Sequence, residues 1–289
     1  MAVTVILALA AALSNAINLL AQHSASIGAP EHKKGWRLVG YLLRHPLWLL
    51  GWLAAVAGFG FQALALQNGQ LSVVQPLLVT ELVFVLVLRR LWIRQQVAHA
   101  AWISALVVCL SLAVFLSVSQ PHGGHPTPTA SAWVSALLTF GAIITGLVAV
   151  GRTGSPVRRA ALFATATSLT WALMAAFIKA TTDTLSHGGI AAMLTHWPVY
   201  ALAASGVAGT LLQQAALHVG PLSISQPLIV VVDPVASIVL SVWLFDDRFT
   251  NSPIKIAIAV VSFALMVVGV IGLSRAAPAD LDPSRRVRL

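Results

Sequence analysis

The sequence predicts an all-α polytopic membrane protein with nine transmembrane helices, arranged as two inverted four-helix repeats that a connector helix joins. First, 58% of its 289 residues are hydrophobic and only 9% are charged, whereas about 25% are charged in a typical soluble domain. Second, apolar runs of about 20 residues, enough for a helix to cross a bilayer core of roughly 30 Å, recur along the chain. Third, "LSVVQPL" at residues 71–77 returns as "LSISQPL" at residues 222–228.

The apolar runs define nine predicted spans. They lie at residues 2–22, 46–66, 71–90, 100–119, 131–151, 158–180, 197–218, 222–245 and 254–274. The first span lacks the positively charged start of a signal peptide, so we expect it to be retained. The segments 23–45 and 181–196 are predicted to be loops between spans.

The basic residues predict the orientation of the chain. If nine spans alternate across a membrane, fourteen of the 17 Lys and Arg residues fall on one side, and only Lys179, Arg248 and Lys255 fall on the other. Because loops rich in Lys and Arg stay in the cytoplasm, the N-terminus is predicted to lie outside a plasma (inner) membrane and the C-terminus inside. The net charge of +9 therefore reflects topology, and no nucleic-acid partner is expected.

The repeated phrase extends into a longer internal match. With an offset of 151, residues 58–79 match residues 209–230 at eleven of 22 positions, and "LSNAI" at 13–17 pairs more weakly with "LTWAL" at 169–173. Five spans separate equivalent helices, so the two halves are expected to insert in opposite directions. Inverted repeats are typical of secondary transporters; a duplication without a transport role is the alternative.

The match divides the chain into four parts. The predicted parts are a first four-span repeat at 1–120, a connector span with its loops at 121–157, a second, inverted four-span repeat at 158–275 and a disordered cytoplasmic tail at 276–289.

Two hairpins carry a resemblance to a known family. The strings "ALALQNGQLSVVQPL" at 63–77 and "AALHVGPLSISQPL" at 215–228 resemble the small-residue hairpin and proline-bearing helix of the drug/metabolite transporter superfamily. The stretch "LLRHPLWLLGWLAAVAGFGFQALAL" at 42–66 is similar to the branch that includes NIPA-type magnesium transporters. The resemblance covers residues 1–275 and implies a helical transporter of a metabolite, drug, nucleotide sugar or cation. The more familiar members have one more span in each half.

Two carboxylates are predicted near the middle of spans. Glu81 and Asp233 each lie at a depth where a charge costs roughly 2.5–3.5 kcal/mol, and no Lys or Arg is predicted at matching depth. We therefore expect proton exchange or cation binding; a protonated acid that hydrogen-bonds across helices is the alternative. Asp233 shares a helical face with Gln226, whereas Glu81 is rotated by about 120° from Gln75 on an ideal helix, which favours Asp233 as the more central group.

Buried amides and prolines complete the predicted site. The amides predicted to line a central cavity belong to Asn15, Asn18, Gln62, Gln75, Gln213 and Gln226, although such groups also hold helices together. Proline removes the hydrogen bond to the carbonyl four residues earlier, and carbonyls freed in this way are tolerated beside a cavity. The helices are therefore predicted to break at Pro76, Pro227 and Pro234, with a packing kink as the alternative.

Other polar features predict little chemistry. Asp246 and Asp247 beside Arg248 are predicted to form a solvated cap, and "PHGGHP" at 121–126 is predicted to be a turn. "GRTGS" at 151–155 lacks the Gly-Lys-Ser/Thr of a phosphate-binding loop. No nucleophile–base pair or cluster of metal ligands is evident, so neither an enzyme nor a cofactor is predicted, and metal ligands remain unknown.

These features together predict an ion-gradient-coupled transporter or exchanger of a small solute that works by alternating access. The alternatives are a Mg²⁺ or other divalent cation transporter of NIPA type, a flippase for a lipid-linked substrate, and a non-transporting membrane subunit. The predicted partners are a small-molecule or cation substrate and the lipid bilayer, and a homodimer is left open.

Overall fold

The computed structural model describes residues 2–27, 45–92, 94, 97–119, 122–123, 128–219, 222–249 and 252–276. Of these, the side chains at 23, 26, 27, 122, 123, 222, 223, 226 and 274–276 are outside the description. Most of the predicted first loop and the predicted tail therefore lie outside the described residues, as does most of the 121–126 turn.

Almost all of the described chain is helical. The elements are α1 (Ala2–Ile27), α2 (Pro46–Asn68), α3 (Leu71–Leu78), α4 (Glu81–Leu91), α5 (His99–Ser119), β1 (His122–Gly123), α6 (Ala130–Val150), α7 (Pro156–Thr195), α8 (Pro198–Val219), α9 (Leu222–Phe245), β2 (Asp247–Arg248) and α10 (Pro253–Ala276).

The helices have the lengths and composition of a multi-pass membrane protein. Within the described ranges, eight helical segments are long and apolar enough to cross a bilayer, with α3 and α4 counted as one. The remaining predicted span, the seventh at 197–218, corresponds to α8, which has 22 residues and is not among those eight. It carries two adjacent glutamines at 213–214 and His218. The predicted class of an all-α polytopic membrane protein is confirmed.

The third span is interrupted between α3 and α4. Pro76 lacks a backbone N–H, and the next turn tightens: Val79 N donates to Pro76 O at 3.2 Å and Thr80 N donates to Leu77 O at 3.1 Å. The Thr80 hydroxyl also donates to Leu77 O, at 2.6 Å. Bonds to the third preceding residue belong to a 3₁₀-type turn, and α4 begins after it at Glu81.

The predicted loop at 181–196 is wrong, because α7 continues to Thr195. Its first part, residues 156–188, spans about 50 Å at 1.5 Å per residue, which is longer than a bilayer core of roughly 30 Å. The polar residues at 181–187, which favour a loop by composition, instead bond along the helix: the hydroxyls of Thr182 and Thr184 donate to carbonyls of the preceding turn. Gly189, at φ +69° and ψ −173°, has a non-helical backbone and divides α7 into two helical parts that meet at a kink.

Four helix pairings build most of the bundle. Helix α1 packs along α2, α7 along α8, α5 along α10, and α9 against α7. Small residues allow the close approach that apolar helices need in a membrane. A Cβ atom at Gly269 of α10 would lie only 2.8 Å from Cγ2 of Val108 in α5, and one at Gly272 only 2.5 Å from Oγ of Ser104.

The two short strands mark one end of the bundle, which we call the strand end. Strands β1 and β2 pair antiparallel, with His122 opposite Arg248 and Gly123 opposite Asp247. An aromatic cluster joins α6, α7 and the start of α8. Trp133 stacks on Phe177 at a centroid distance of 5.3 Å, and Trp197 meets Trp133 edge-on at 5.1 Å. Tryptophans are typical of the boundary between membrane and water, and Trp133 and Trp197 lie at the starts of α6 and α8.

Candidate functional site

Asn15 and Glu81, two of the predicted site residues, meet in the structure. Asn15 lies in the middle of α1, and its amide donates a hydrogen bond to the carboxylate of Glu81, the first residue of α4. The amide oxygen of Asn15 faces Gly58 of α2, where a Cβ atom would lie only 2.4 Å from it. Because Gly58 has no side chain, α1, α2 and α4 can pack around the Asn15 amide.

Asn18 lies on the same face of α1, three residues after Asn15. Its side-chain oxygen is buried and makes no hydrogen bond within the described part of the chain. Buried polar atoms in folded proteins nearly always have a partner. This oxygen is therefore free to accept a hydrogen bond from water or to bind a cation. Asn15, Asn18 and Glu81 form the group that we call the amide–acid site.

Asp233 lies on a different helix and has a different partner. Its carboxylate accepts a hydrogen bond of 3.3 Å from the hydroxyl of Ser237, one turn later in α9, and Ser237 is fully buried. The predicted neighbour Gln226 lies in α9, but its side chain is outside the described residues.

Both acids lie inside the bundle without being sealed from their surroundings. Protein atoms surround each carboxylate on nearly all sides, yet each residue keeps part of its surface accessible. The structure gives them separate neutral partners, an amide for Glu81 and a hydroxyl for Asp233. Glu81 and Asp233 therefore belong to two separate polar groups and do not form one carboxylate pair.

The four predicted glutamines do not share one environment. Gln75 is 3% exposed and belongs to the interior of α3, whereas Gln62 of α2 and Gln213 of α8 are half-buried. Gln226 cannot be compared because its side chain lies outside the description.

Pro76 differs from the other two predicted prolines. Pro76 precedes the interruption of the third span, but α9 continues through both Pro227 and Pro234. The break predicted at these two positions does not occur in the described backbone. The carbonyls near Pro227 instead lie close to a hydroxyl of α7: Ser168 Oγ, which donates to Ala164 O at 2.9 Å, lies 3.3 Å from Ile229 O. Ser168 is fully buried and was not predicted as a site residue.

Lys179 was not predicted to be a site residue, but it makes several polar contacts in the structure. Its ammonium donates hydrogen bonds to the carbonyls of Leu66, at 3.1 Å, and Gly69, at 2.8 Å. It also lies 5.4 Å from the centroid of the Phe245 ring, a distance typical of a cation–π contact. Lys179 of α7 thereby binds the carbonyls at the end of α2, which is the negative end of that helix dipole.

The prediction of a solvated cap is wrong for Asp247. Asp246 pairs with Arg248 at 3.0 Å on the surface, as predicted. Asp247 is only 3% exposed and accepts hydrogen bonds from Ser72, at 3.2 Å, and from Ser241. The positive φ of Asp246, +53°, turns the chain so that two neighbouring acids end in different environments. Aspartate is one of the few residues that tolerate this conformation.

Burial raises the pKa of the Asp247 carboxyl above its ordinary value. The Ser241 hydroxyl, the positive charge of Lys179 and the Ser72 hydroxyl oppose that rise, whereas the charge of Asp246 adds to it. Lys179 and Asp247 thus lie within electrostatic range of each other at the strand end.

No cluster of conventional metal ligands is present in the part of the chain that the structure describes. Across these ranges, three or more His, Cys, Asp or Glu side chains nowhere come together. Any cation held by the amide–acid site would therefore have to take most of its ligands from amide oxygens, carbonyl oxygens and water.

Comparison with known proteins adds a relative but no activity. No family model matches the chain, and no solved structure matches it. A protein of Corynebacterium glutamicum that is described as uncharacterized is 25% identical over 273 residues, which cover 94% of this chain and 94% of that protein. The similarity thus extends through both predicted halves.

Proposed function

We propose that this protein is a secondary transporter that moves a small solute or cation through the membrane by alternating access. The observation that carries the proposal is the presence of two carboxylates, Glu81 and Asp233, inside apolar helices, where their hydrogen-bond partners among the described residues are a neutral amide and a neutral hydroxyl. A charge at such depth costs roughly 2.5–3.5 kcal/mol, and an amide or hydroxyl does not neutralise it. Binding and release of a proton or cation at each acid offsets this cost.

The pattern of helix packing supports two equivalent halves. In the first half α1 packs on α2 and on α3 and α4; in the second half α7 packs on α8 and on α9. Two further pairings join predicted repeat mates to each other, α5 with α10 and α3 with α9. A two-fold axis between the halves would produce this set of pairings, and such halves rock around a central site in many transporters.

One pair of side-chain contacts supports the same symmetry. Gly58 packs against Asn15, and its predicted repeat mate Gly209 packs against Trp171, with a built Cβ only 3.1 Å from the indole ring. Trp171 occupies the position that corresponds to Asn15 in the weaker match. The second half therefore carries an apolar ring where the first half carries the amide that binds Glu81.

In the proposed mechanism, binding at the two acids is coupled to the movement of the halves. Asp233 and Glu81 are the groups that take up a proton or cation, and the half-buried amides of Gln62 and Gln213 border the path. The resemblance to the drug/metabolite transporter superfamily supports the same class of function. The chain has no phosphate-binding loop, so an ion gradient is the proposed source of energy.

A divalent cation such as Mg²⁺ is the second candidate substrate, and the amide–acid site favours it. Mg²⁺ prefers oxygen ligands and keeps several of its waters. Glu81 and the oxygen of Asn18, which has no hydrogen-bond partner among the described residues, offer oxygen ligands and leave room for water.

Ligand-dependent thermal stabilisation of the purified protein tests the proposal. A ligand that binds only the folded state at 100 times its Kd adds about 2.7 kcal/mol of stability. We expect either MgCl₂, compared with choline chloride at equal ionic strength, or one class of small organic solute to raise the melting temperature with concentration. The same ligand should cross proteoliposome membranes and respond to an imposed proton or cation gradient. Absence of both stabilisation and flux across cations and solutes would contradict a transport function.

The proposed orientation gives a separate prediction. In a Cys109→Ala background, Ser131→Cys at the start of α6 should react with an impermeant maleimide on intact cells. Thr153→Cys, in the turn after α6, should react only after the membrane is opened. Both residues are exposed and lie at opposite ends of one helix, so each serves as the control for the other. Labelling in the reverse order would overturn the outside position of the N-terminus.

A further inference from the structure

The two halves are tied together at the strand end by hydrogen bonds between buried and half-buried groups. Lys179 of the second half binds the carbonyls of Leu66 and Gly69 of the first. In return, the backbone N–H of Ser72 donates to Ser241 Oγ at 3.3 Å, and the Ser72 hydroxyl donates to Asp247. Each of these four bonds joins a residue before position 120 to a residue after position 158.

The chemistry of this cluster favours two discrete states over a gradual loosening. Ser72, Ser241 and Asp247 are at most 3% exposed, and a buried charge that loses its partners is costly unless water replaces them. Separation of the halves at this end would expose the ammonium and the carboxylate to water together. The cluster is therefore stable either closed, with its hydrogen bonds made, or open and hydrated, and in the structure it is closed.

We propose that Ser72, Lys179, Ser241 and Asp247 form a latch that closes the strand end of the transport path and opens once in each cycle. This inference rests on the proposed alternating access, in which the path is closed on one side while it opens on the other. The latch requires no contact with the substrate. It acts by setting the fraction of molecules whose strand end is open.

Cysteine accessibility measures this fraction directly. In the Cys109→Ala background, Ala236→Cys serves as the reporter, because Ala236 is 5% exposed and lies five residues before Ser241 on α9. An impermeant maleimide is applied from the side on which Ser131→Cys reacts. Lys179→Met and Asp247→Asn should each raise the labelling rate of the reporter by about tenfold, the effect of losing one hydrogen bond to a charged group.

Two matched controls exist at the same end of the molecule. Lys255→Met removes an exposed lysine of α10, and Asp246→Asn removes the exposed neighbour of Asp247; both should leave the labelling rate unchanged. Ser72→Ala removes one latch hydroxyl while keeping both charges, and should raise labelling in protein that elutes as a single species on size exclusion. Should Lys179→Met or Asp247→Asn fail to fold, the Ser72→Ala variant decides the outcome.

The outcomes separate the latch from the transport function. Equal labelling in wild type and in all folded latch variants would overturn the latch, even in a protein that transports. Faster labelling in the latch variants of a protein that shows no flux would support the latch and would contradict the proposed transport. Faster labelling in the control variants as well would also overturn the latch, because the opening would then not depend on the four latch residues.

Discussion

Replacement of Asp233 by Asn is expected to abolish gradient-coupled transport while the protein still folds. Asparagine has nearly the same shape as aspartate, and its side-chain oxygen accepts the hydrogen bond from Ser237 as the carboxylate does. The amide cannot take up a proton or neutralise a cation. We expect coupled flux in proteoliposomes to fall by about 100-fold or more, the range lost when an essential proton-transfer group is removed. The melting temperature should stay near the wild-type value.

Ser237→Ala is the matched control for this experiment. It removes the hydroxyl that contacts Asp233 and leaves the carboxylate in place, at a position that is fully buried. Coupled transport should persist in this variant, with a loss of stability of about 1 kcal/mol for one hydrogen bond. Normal coupled transport by Asp233→Asn would remove Asp233 from the mechanism and leave it as a buried hydrogen-bonding group.

Glu81→Gln is expected to reduce coupled transport to a similar extent. The sequence ranks Glu81 below Asp233, because on an ideal helix it is rotated away from Gln75. The structure removes this reason for a lower rank, because Glu81 begins a separate helix, α4, and accepts a hydrogen bond from Asn15. Glutamine keeps the contact to Asn15 but cannot titrate. Unchanged coupling in Glu81→Gln, together with loss of coupling in Asp233→Asn, would restrict the ion site to α9.

Gly58→Ala tests whether Asn15 positions Glu81. The added methyl group would meet the Asn15 oxygen at 2.4 Å, and such overpacking typically costs about 1–3 kcal/mol. We expect Asn15 to be displaced and coupling to weaken while Glu81 itself is unchanged. Gly60→Ala is the control, because a Cβ there meets nothing within 4 Å. If both alanine variants transport like wild type, the contact between Asn15 and Glu81 is not needed for coupling.

The class of the protein was predictable because it depends on local properties of the chain. Apolar runs of about 20 residues need no partner to be recognised as spans, and eight of the nine agree with helices of the required length and composition. The repeated hairpin also predicts that Gly58 and Gly209 are equivalent, and both pack against residues of the neighbouring first helix of their half, Asn15 and Trp171.

Helix ends and breaks were less predictable, because they depend on which hydrogen-bond partners the backbone groups of each residue find locally. Pro76 and Pro227 occupy equivalent positions in the repeat, yet the chain is interrupted after Pro76 and continues through Pro227. Composition alone also gave no reason for the first part of α7 to continue to residue 188, since a solvated helix and a loop can have the same serine and threonine content.

The sequence by itself determined the membrane class, the approximate spans and the pair of carboxylates inside them, because apolar length and charge scarcity are properties of single segments. The tertiary structure alone decided which polar groups meet. Asn15 reaches Glu81, Lys179 reaches the carbonyl of Gly69, and Asp247 becomes buried at the strand end, because helices that are distant in sequence pack side by side. A hydrogen bond needs donor and acceptor about 3 Å apart, and no pattern along one helix specifies a distance to another.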